Sequence, residues 1–324
     1  MKNMKTAAGM LCLAGILSLG MGTTVFAEDG DSHYPVTITT YNYENEPVEM
    51  TFEKAPEKVF AYANSNIEEL LALGLGDKIV AACGLDGDVR EDLKDEFDKI
   101  QYMDTKPSKE EVVAMEPDFI AAWYSSFSDD WLSDVSFWQE RDVNTYMSLN
   151  SAAKGPASEF PRTIEDEYED ILNLGKIFDC EDKAEEIVDQ MKGEIDKVKE
   201  HVEGTDPLSV AVLEDEGDSF RVYGTETLGG NIPETLGAEL KLGAENSENV
   251  GAEDLIAADP DVLFMINYDG FMTADEAIAD ITDNPAYASL SAVKNNKVFS
   301  VNLNEVYCSG VRTYDGIMTF AKAL

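Results

Sequence analysis

Lys109-Glu110-Glu111-Val112-Val113-Ala114-Met115-Glu116-Pro117-Asp118-Phe119-Ile120 recurs 143 residues later as Ala252-Glu253-Asp254-Leu255-Ile256-Ala257-Ala258-Asp259-Pro260-Asp261-Val262-Leu263. In both copies an acid, an apolar pair, an alanine, a second acid, a Pro-Asp and an apolar strand come in the same order. Ser108 and Gly251 read as equivalent helix caps, with Glu111 and Asp254 three positions on, where an acid can fold back onto the cap. A shorter echo joins Asn66-Ile67-x-Glu69-x-Leu71 to Asn231-Ile232-x-Glu234-x-Leu236. A period this long fits duplicated lobes rather than a solenoid.

Upstream of the first copy, Val59 to Ala63 is a short apolar strand, Asn64-Ser65-Asn66 a turn and cap, Ile67 to Leu75 a helix, and Ile79 to Cys83 a second strand. Strand, helix, strand repeats down the chain, which predicts parallel α/β construction. Residues 28–57 alternate apolar and polar and read as an N-terminal hairpin. Between the two lobes, Ile164, Tyr168, Ile171 and Gly175 share one helical face. Ala184, Ile187, Val188, Met191, Ile195, Val198 and Val202 then mark a long amphipathic helix. The expected fold is α/β, two similar lobes with central mainly parallel sheets joined by one long rigid helix. Its divisions are 1–27 signal, 28–57 extension, 58–160 N-terminal lobe, 161–204 connecting helices and 205–324 C-terminal lobe. No Gly/Ser-rich stretch loosens the connector, so large hinge closure is not expected.

The chain has 324 residues, with 24 Lys+Arg against 65 Asp+Glu and a formal charge of −41, which makes basic nucleic-acid or anionic-membrane binders poor candidates. Lys2 and Lys5, an apolar run from Met10 to Met21 and Val25-Phe26-Ala27 form an export signal with cleavage after Ala27. Leu11 stands where a lipid-modified Cys12 would need a small residue, so a periplasmic, extracellular or surface protein without a lipid is expected. Beyond the signal, Cys83, Cys180 and Cys308 are an odd set without metal-ligand spacing and read as structural thiols. The histidines are His33 and His201, too few for a transition-metal site. No GxSxG, HExxH or phosphate-loop signal supports a secreted hydrolase, and with this many acids a carboxylate pair arises by chance. A purely structural surface domain is a third class; two similar lobes favour a cleft instead.

Pro56-Glu57-Lys58-Val59 opening the first lobe, the two helix-to-strand segments, the connecting helix, and Leu290-Ser291-Ala292-Val293-Lys294-Asn295-Asn296-Lys297-Val298-Phe299 near the end together form a pattern. It resembles the helical-backbone class of ABC-transporter substrate-binding proteins, which carry ferric siderophores, haem and cobalamin. The resemblance covers nearly the whole chain after the signal. It implies a monomeric non-enzyme, without a cofactor of its own, that captures a metal chelate between its lobes and delivers it to a membrane permease dimer. It also implies that one acid per lobe pairs with permease arginines, and Glu110 and Glu253 occupy the matching positions.

In α/β lobes a cleft is lined by loops at the carboxyl ends of strands. Those loops offer Tyr62, Asn64 and Ser65, then Trp123 and Tyr124, and in the second lobe Arg221, Tyr223, Asn267, Tyr268 and Phe271. Arg312, before the final helix, is the further candidate for an anionic chelate, by charge-assisted hydrogen bonds; pairing with an acid is its alternative role. Trp131 and Trp138, seven residues apart, read as core residues of one helix. Arg and Tyr suit a ferric siderophore first and cobalamin second. Haem ranks third, since only Tyr is at hand as an iron ligand.

Overall fold

The computed structural model describes residues 33–151, 161–244, 249–268 and 270–324, so the expected export signal and its cleavage after Ala27 lie outside the described residues. Tyr34–Leu324 is one compact unit. It opens with the antiparallel hairpin β1 (Val36–Tyr41) and β2 (Pro47–Phe52). The N-terminal lobe runs β3 (Val59–Tyr62), α1 (Asn64–Ala72), β4 (Ile79–Cys83), α2 (Lys94–Phe97), β5 (Tyr102–Met103), α3 (Lys109–Ala114), β6 (Phe119–Ala122), α4 (Val135–Gln139) and β7 (Asn144–Met147). Two helices connect the lobes, α5 (Ile164–Phe178) and α6 (Glu181–Val202). The C-terminal lobe runs β8 (Ser209–Asp215), β9 (Phe220–Val222), α7 (Leu228–Thr235), β10 (Glu239–Leu240), α8 (Ala252–Ala258), β11 (Val262–Asn267), α9 (Ala274–Thr282), α10 (Ser291–Lys294), β12 (Val298–Asn302) and α11 (Thr313–Ala321).

The N-terminal sheet has strand order β5-β4-β3-β6-β7, all parallel, and the C-terminal sheet β10-β8-β11-β12, parallel except for β9 against β8. Chain direction across each sheet therefore reverses between β3 and β6 and again between β8 and β11. Ligands of open α/β sheets bind outside the strand ends at such points.

Each residue type in the duplicated phrase has a task in the fold. Val112 and Leu255 are fully buried and seat α3 and α8. Glu116 and Asp259 both end their helices with positive φ, 51° and 43°, and a buried proline comes after each. Asp118 then accepts the Lys58 amide at 2.8 Å and Asp261 the Ser209 amide at 3.0 Å, so each Pro-Asp pins the foot of the neighbouring strand. β6 and β11 are buried along their whole length, as central parallel strands with both faces covered must be. In β8, Val210 and Val212 face the main core while Ala211 and Leu213 face a second core under α9 and α10.

The connector is the expected pair of helices, of which α6, with 22 residues, reaches roughly 33 Å at 1.5 Å per residue. Thr163 and Asp166 form a capping box at the start of α5, with the Thr163 amide donating to Asp166 at 3.1 Å. Trp138 is core, donating Nε1–H to the Leu132 carbonyl at 2.8 Å. Trp131 departs from expectation: it precedes α4, is half-buried, and packs against Tyr62 at the end of β3. Among the described residues no helix is long and apolar enough to cross a membrane, and Cys83, Cys180 and Cys308 are all unpaired.

Candidate ligand-binding cleft

The end of β3 delivers Tyr62 and the end of β6 delivers Trp123 and Tyr124, all half-buried. The Tyr62 ring meets Trp131 edge-on at 4.7 Å and Trp123 at 6.3 Å. Gly84 makes room for it: at φ +85°, a Cβ here would run into the Tyr62 ring, so a side chain at 84 would expel it. Lys106 Nζ lies 3.6 Å from the Trp131 ring centroid and 5.0 Å from that of Tyr62, a cation on an aromatic shelf. Tyr43, from the β1–β2 turn, stacks on Tyr124 with centroids 5.8 Å apart.

The facing surface comes from the second lobe and the connector. Tyr307 stands 6.0 Å from Trp123 across the lobe boundary, and the Arg162 guanidinium lies 5.7 Å from the Tyr307 centroid. Arg162 is positioned by its Nε–H to the Asn150 carbonyl, 2.9 Å. Arg221 on β9 is half-exposed, 3.5 Å from Glu214, and lies over the Tyr223 ring. Tyr268 and Phe271 stack at 4.9 Å with Phe271 69% exposed. Burial pushes the Tyr307 phenol up, with Arg162 opposing, and pushes the Lys106 ammonium down.

Four residues expected at the ligand have other work. Tyr223 is 1% exposed and donates its hydroxyl to Glu214 at 2.9 Å. Asn64 and Ser65 are buried: Asn64 accepts the Asp86 amide at 2.8 Å, and Ser65 Oγ accepts Trp123 Nε1–H at 3.0 Å. They position the wall rather than line it. Arg312 is the largest correction. Its Nε and Nη2 donate to both oxygens of fully buried Glu68, at 2.6 and 2.7 Å, and Nη2 also donates to the Asp88 carbonyl. It clasps the C-terminal lobe to α1, and its Nε–Nη2 edge is taken up by that pairing.

A second clasp lies beside it. Glu167 on α5 accepts the backbone amides of Ser309 and Gly310 and the side-chain amide of Asn150. Glu69, Glu167 and Asp170 are all buried with carboxylate oxygens within 4.8 Å of one another. Gly310, at φ +54°, is what lets the turn press on them: a Cβ would come 2.8 Å from Glu69 Oε1. Burial, then mutual repulsion, pushes Glu69 and Asp170 well up, and burial pushes Glu167 up to about 7. A carboxyl raised on folding binds its proton more tightly in the native state. Its contribution to stability is full below the ordinary value of about 4.5 and is lost as pH rises through about 7. The melting temperature is therefore expected to fall between pH 5 and pH 8, with a shallower fall in Glu167→Gln. Identical melting across that range in the parent protein would contradict the assignment.

Glu110 and Glu253 lie on α3 and α8, both exposed, with no hydrogen-bond or ion-pair partner among the described residues. Their neighbours hold the caps: Glu111 accepts the Ser108 amide at 2.8 Å and Asp254 the Gly251 amide at 2.9 Å.

The profile of the family described as periplasmic binding proteins matches residues 59–302. A periplasmic binding protein from Veillonella parvula, solved by crystallography, superposes with a TM-score of 0.83 at 33% identity, over 90% of this chain and 91% of that one. The chain is 24% identical to the uncharacterized ABC transporter substrate-binding lipoprotein YvrC of Bacillus subtilis, covering 99% of this chain and 98% of YvrC. It is 25% identical to the Fe(3+)-citrate-binding protein YfmC of the same species, covering 61% of this chain and 58% of YfmC.

Proposed function

The chain belongs to the periplasmic binding protein family, and on that basis we propose that it captures an anionic iron chelate, a ferric siderophore, in the inter-lobe cleft and delivers it to a dimeric permease. As an ABC-type substrate-binding protein it is not an enzyme, and it works with permease and ATPase components. The observation that carries the choice of cargo is the gathering of Arg162, Arg221 and Lys106 on an aromatic cleft in a chain with 24 basic against 65 acidic residues. The chain's net charge opposes anions, so cations gathered in one place would select for them.

Tyr62, Trp123, Tyr124, Arg221 and Tyr268 are ligand residues in this reading, joined by Tyr307 and Arg162. The aromatic faces pack on catecholate rings or on a chelate's apolar rim, and guanidinium groups meet its anionic oxygens. Burial keeps the Tyr62 and Tyr307 phenols protonated, which suits them to donate to chelate oxygens. The Fe(3+)-citrate-binding relative supports an iron chelate as the class of cargo. Aromatic walls also suit a corrin, which makes cobalamin the second reading. Haem comes third, because Tyr is the iron ligand at hand; His201 is exposed on α6.

In this reading residues 1–27 direct export, the protein acts as a monomer outside the cytoplasmic membrane, and Glu110 and Glu253 orient it on the permease. Cells lacking the protein should fail to take up a radiolabelled ferric chelate that the purified protein binds, and the parent gene should restore uptake. Glu110→Arg with Glu253→Arg should bind the chelate as the parent does yet restore nothing. Full uptake with that double variant would remove the two glutamates from docking.

A further inference from the structure

Among the described residues three large apolar side chains are exposed: Val113, Ile256 and Phe271. Phe271 belongs to the cleft. Val113 and Ile256 are 143 positions apart, the period of the repeat, and each is 37% exposed. Each stands one residue after the buried anchor of its helix, Val112 or Leu255, and one before an exposed alanine, Ala114 or Ala257. Each also lies three positions after an exposed glutamate, Glu110 or Glu253, that has no partner among the described residues. Residues three and four apart share one helix face. The outer faces of α3 and α8 thus carry the same patch: glutamate, branched aliphatic, alanine.

A single exposed aliphatic has no meaning on a protein surface. Two at equivalent places in two lobes, each beside an unpaired acid, are a different observation, because core packing accounts for Val112 and Leu255 but not for the next residue. We infer that Val113-Ala114 and Ile256-Ala257 are a duplicated pair of apolar docking anchors for a two-fold membrane partner that presents, twice, an apolar recess next to a basic side chain. The inference rests on the importer reading and adds to it. The glutamates set orientation and encounter rate, while the aliphatic side chains, losing water on contact, hold the docked state. Two equal patches on lobes held by the Glu68–Arg312 and Glu167 clasps fit a partner whose own sites repeat. The acids require it to be basic there.

The test uses right-side-out vesicles of the source cell's cytoplasmic membrane and fluorescently labelled, full-length mature protein. With a benzoylphenylalanine photoprobe at 113 or at 256, both positions should cross-link to the same integral membrane polypeptide, and a probe at exposed Glu185 on α6 should not. Val113→Ser with Ile256→Ser should weaken saturable binding about tenfold or more and keep its dependence on salt. Glu110→Gln with Glu253→Gln should lose that salt dependence. Parent-like binding by the serine pair, with the glutamine pair still impaired, would overturn the apolar anchors and leave the importer reading intact. Parent-like binding by both pairs would remove these faces from docking altogether. Absence of saturable binding by the parent would overturn the anchors and the importer reading together.

Discussion

Arg312→Ala is expected to lower the stability of the fold by about 3–5 kcal/mol, the range for breaking a buried ion pair from one side. The reason is what it leaves behind. Glu68 has no solvent exposure in its side chain and is paired through both oxygens to an arginine that is itself only 13% exposed. Truncation strands the carboxylate, with the Arg90 amide at 2.9 Å as its remaining donor. The same loss frees the Asp88 carbonyl and weakens the seam where Arg90 Nη1 donates to the Val311 carbonyl. Urea unfolding followed by circular dichroism measures the effect. Replacing both partners, Glu68→Leu with Arg312→Leu, should recover most of it, since a well-packed apolar pair needs no counter-ion. A parent-like unfolding midpoint for Arg312→Ala, accompanied by loss of chelate binding, would return Arg312 to the ligand.

The contrast between Arg312 and the duplicated Pro-Asp phrase shows where sequence is informative. Asp118 and Asp261 sit in a motif whose spacing repeats, and their roles at the feet of β3 and β8 follow from local order. The strand-end positions of Tyr62, Trp123 and Tyr268 are legible for a related reason: a strand-helix-strand pattern marks the carboxyl end of each strand, and each of the three lies at one. Nothing local announces that Glu68, Glu69, Glu167 and Asp170 are buried. In a chain with 65 acids, acidic residues on helices α1 and α5 read as solvated faces, and their partners are remote, Arg312 lying 244 residues from Glu68. Tyr307 and Arg162 reach the cleft from irregular segments, and Tyr43 from a hairpin turn, so no periodicity marks them. Tyr223 comes directly after β9, and the strand pairing of β9 with β8, rather than any pattern in its own sequence, turns it inward to Glu214.

The second large effect belongs to the cleft. Arg162→Ala with Arg221→Ala should reduce affinity for an anionic ferric chelate by about 3–6 kcal/mol, taking about 1.5–3 for each hydrogen bond from a charged group. That is roughly a hundredfold to ten-thousandfold. Arg221 is the cleaner half of the pair, because it is half-exposed and its 3.5 Å contact with Glu214 contributes little to stability. Arg162 also braces the Asn150 carbonyl, so a thermal melt of each single variant separates lost binding from lost structure. Trp123, whose ring meets Tyr307 edge-on at 6.0 Å across the lobe boundary, is expected to report occupancy through its emission. Capture of an anionic iron chelate between the lobes can be decided by native mass spectrometry of the parent protein titrated in parallel with a ferric siderophore, cobalamin and haem. A one-to-one complex with the ferric siderophore is expected, lost in the double arginine variant and weaker with the other two ligands. Retention of cobalamin or haem but not of any ferric chelate, or equal binding by the arginine variant, would contradict it.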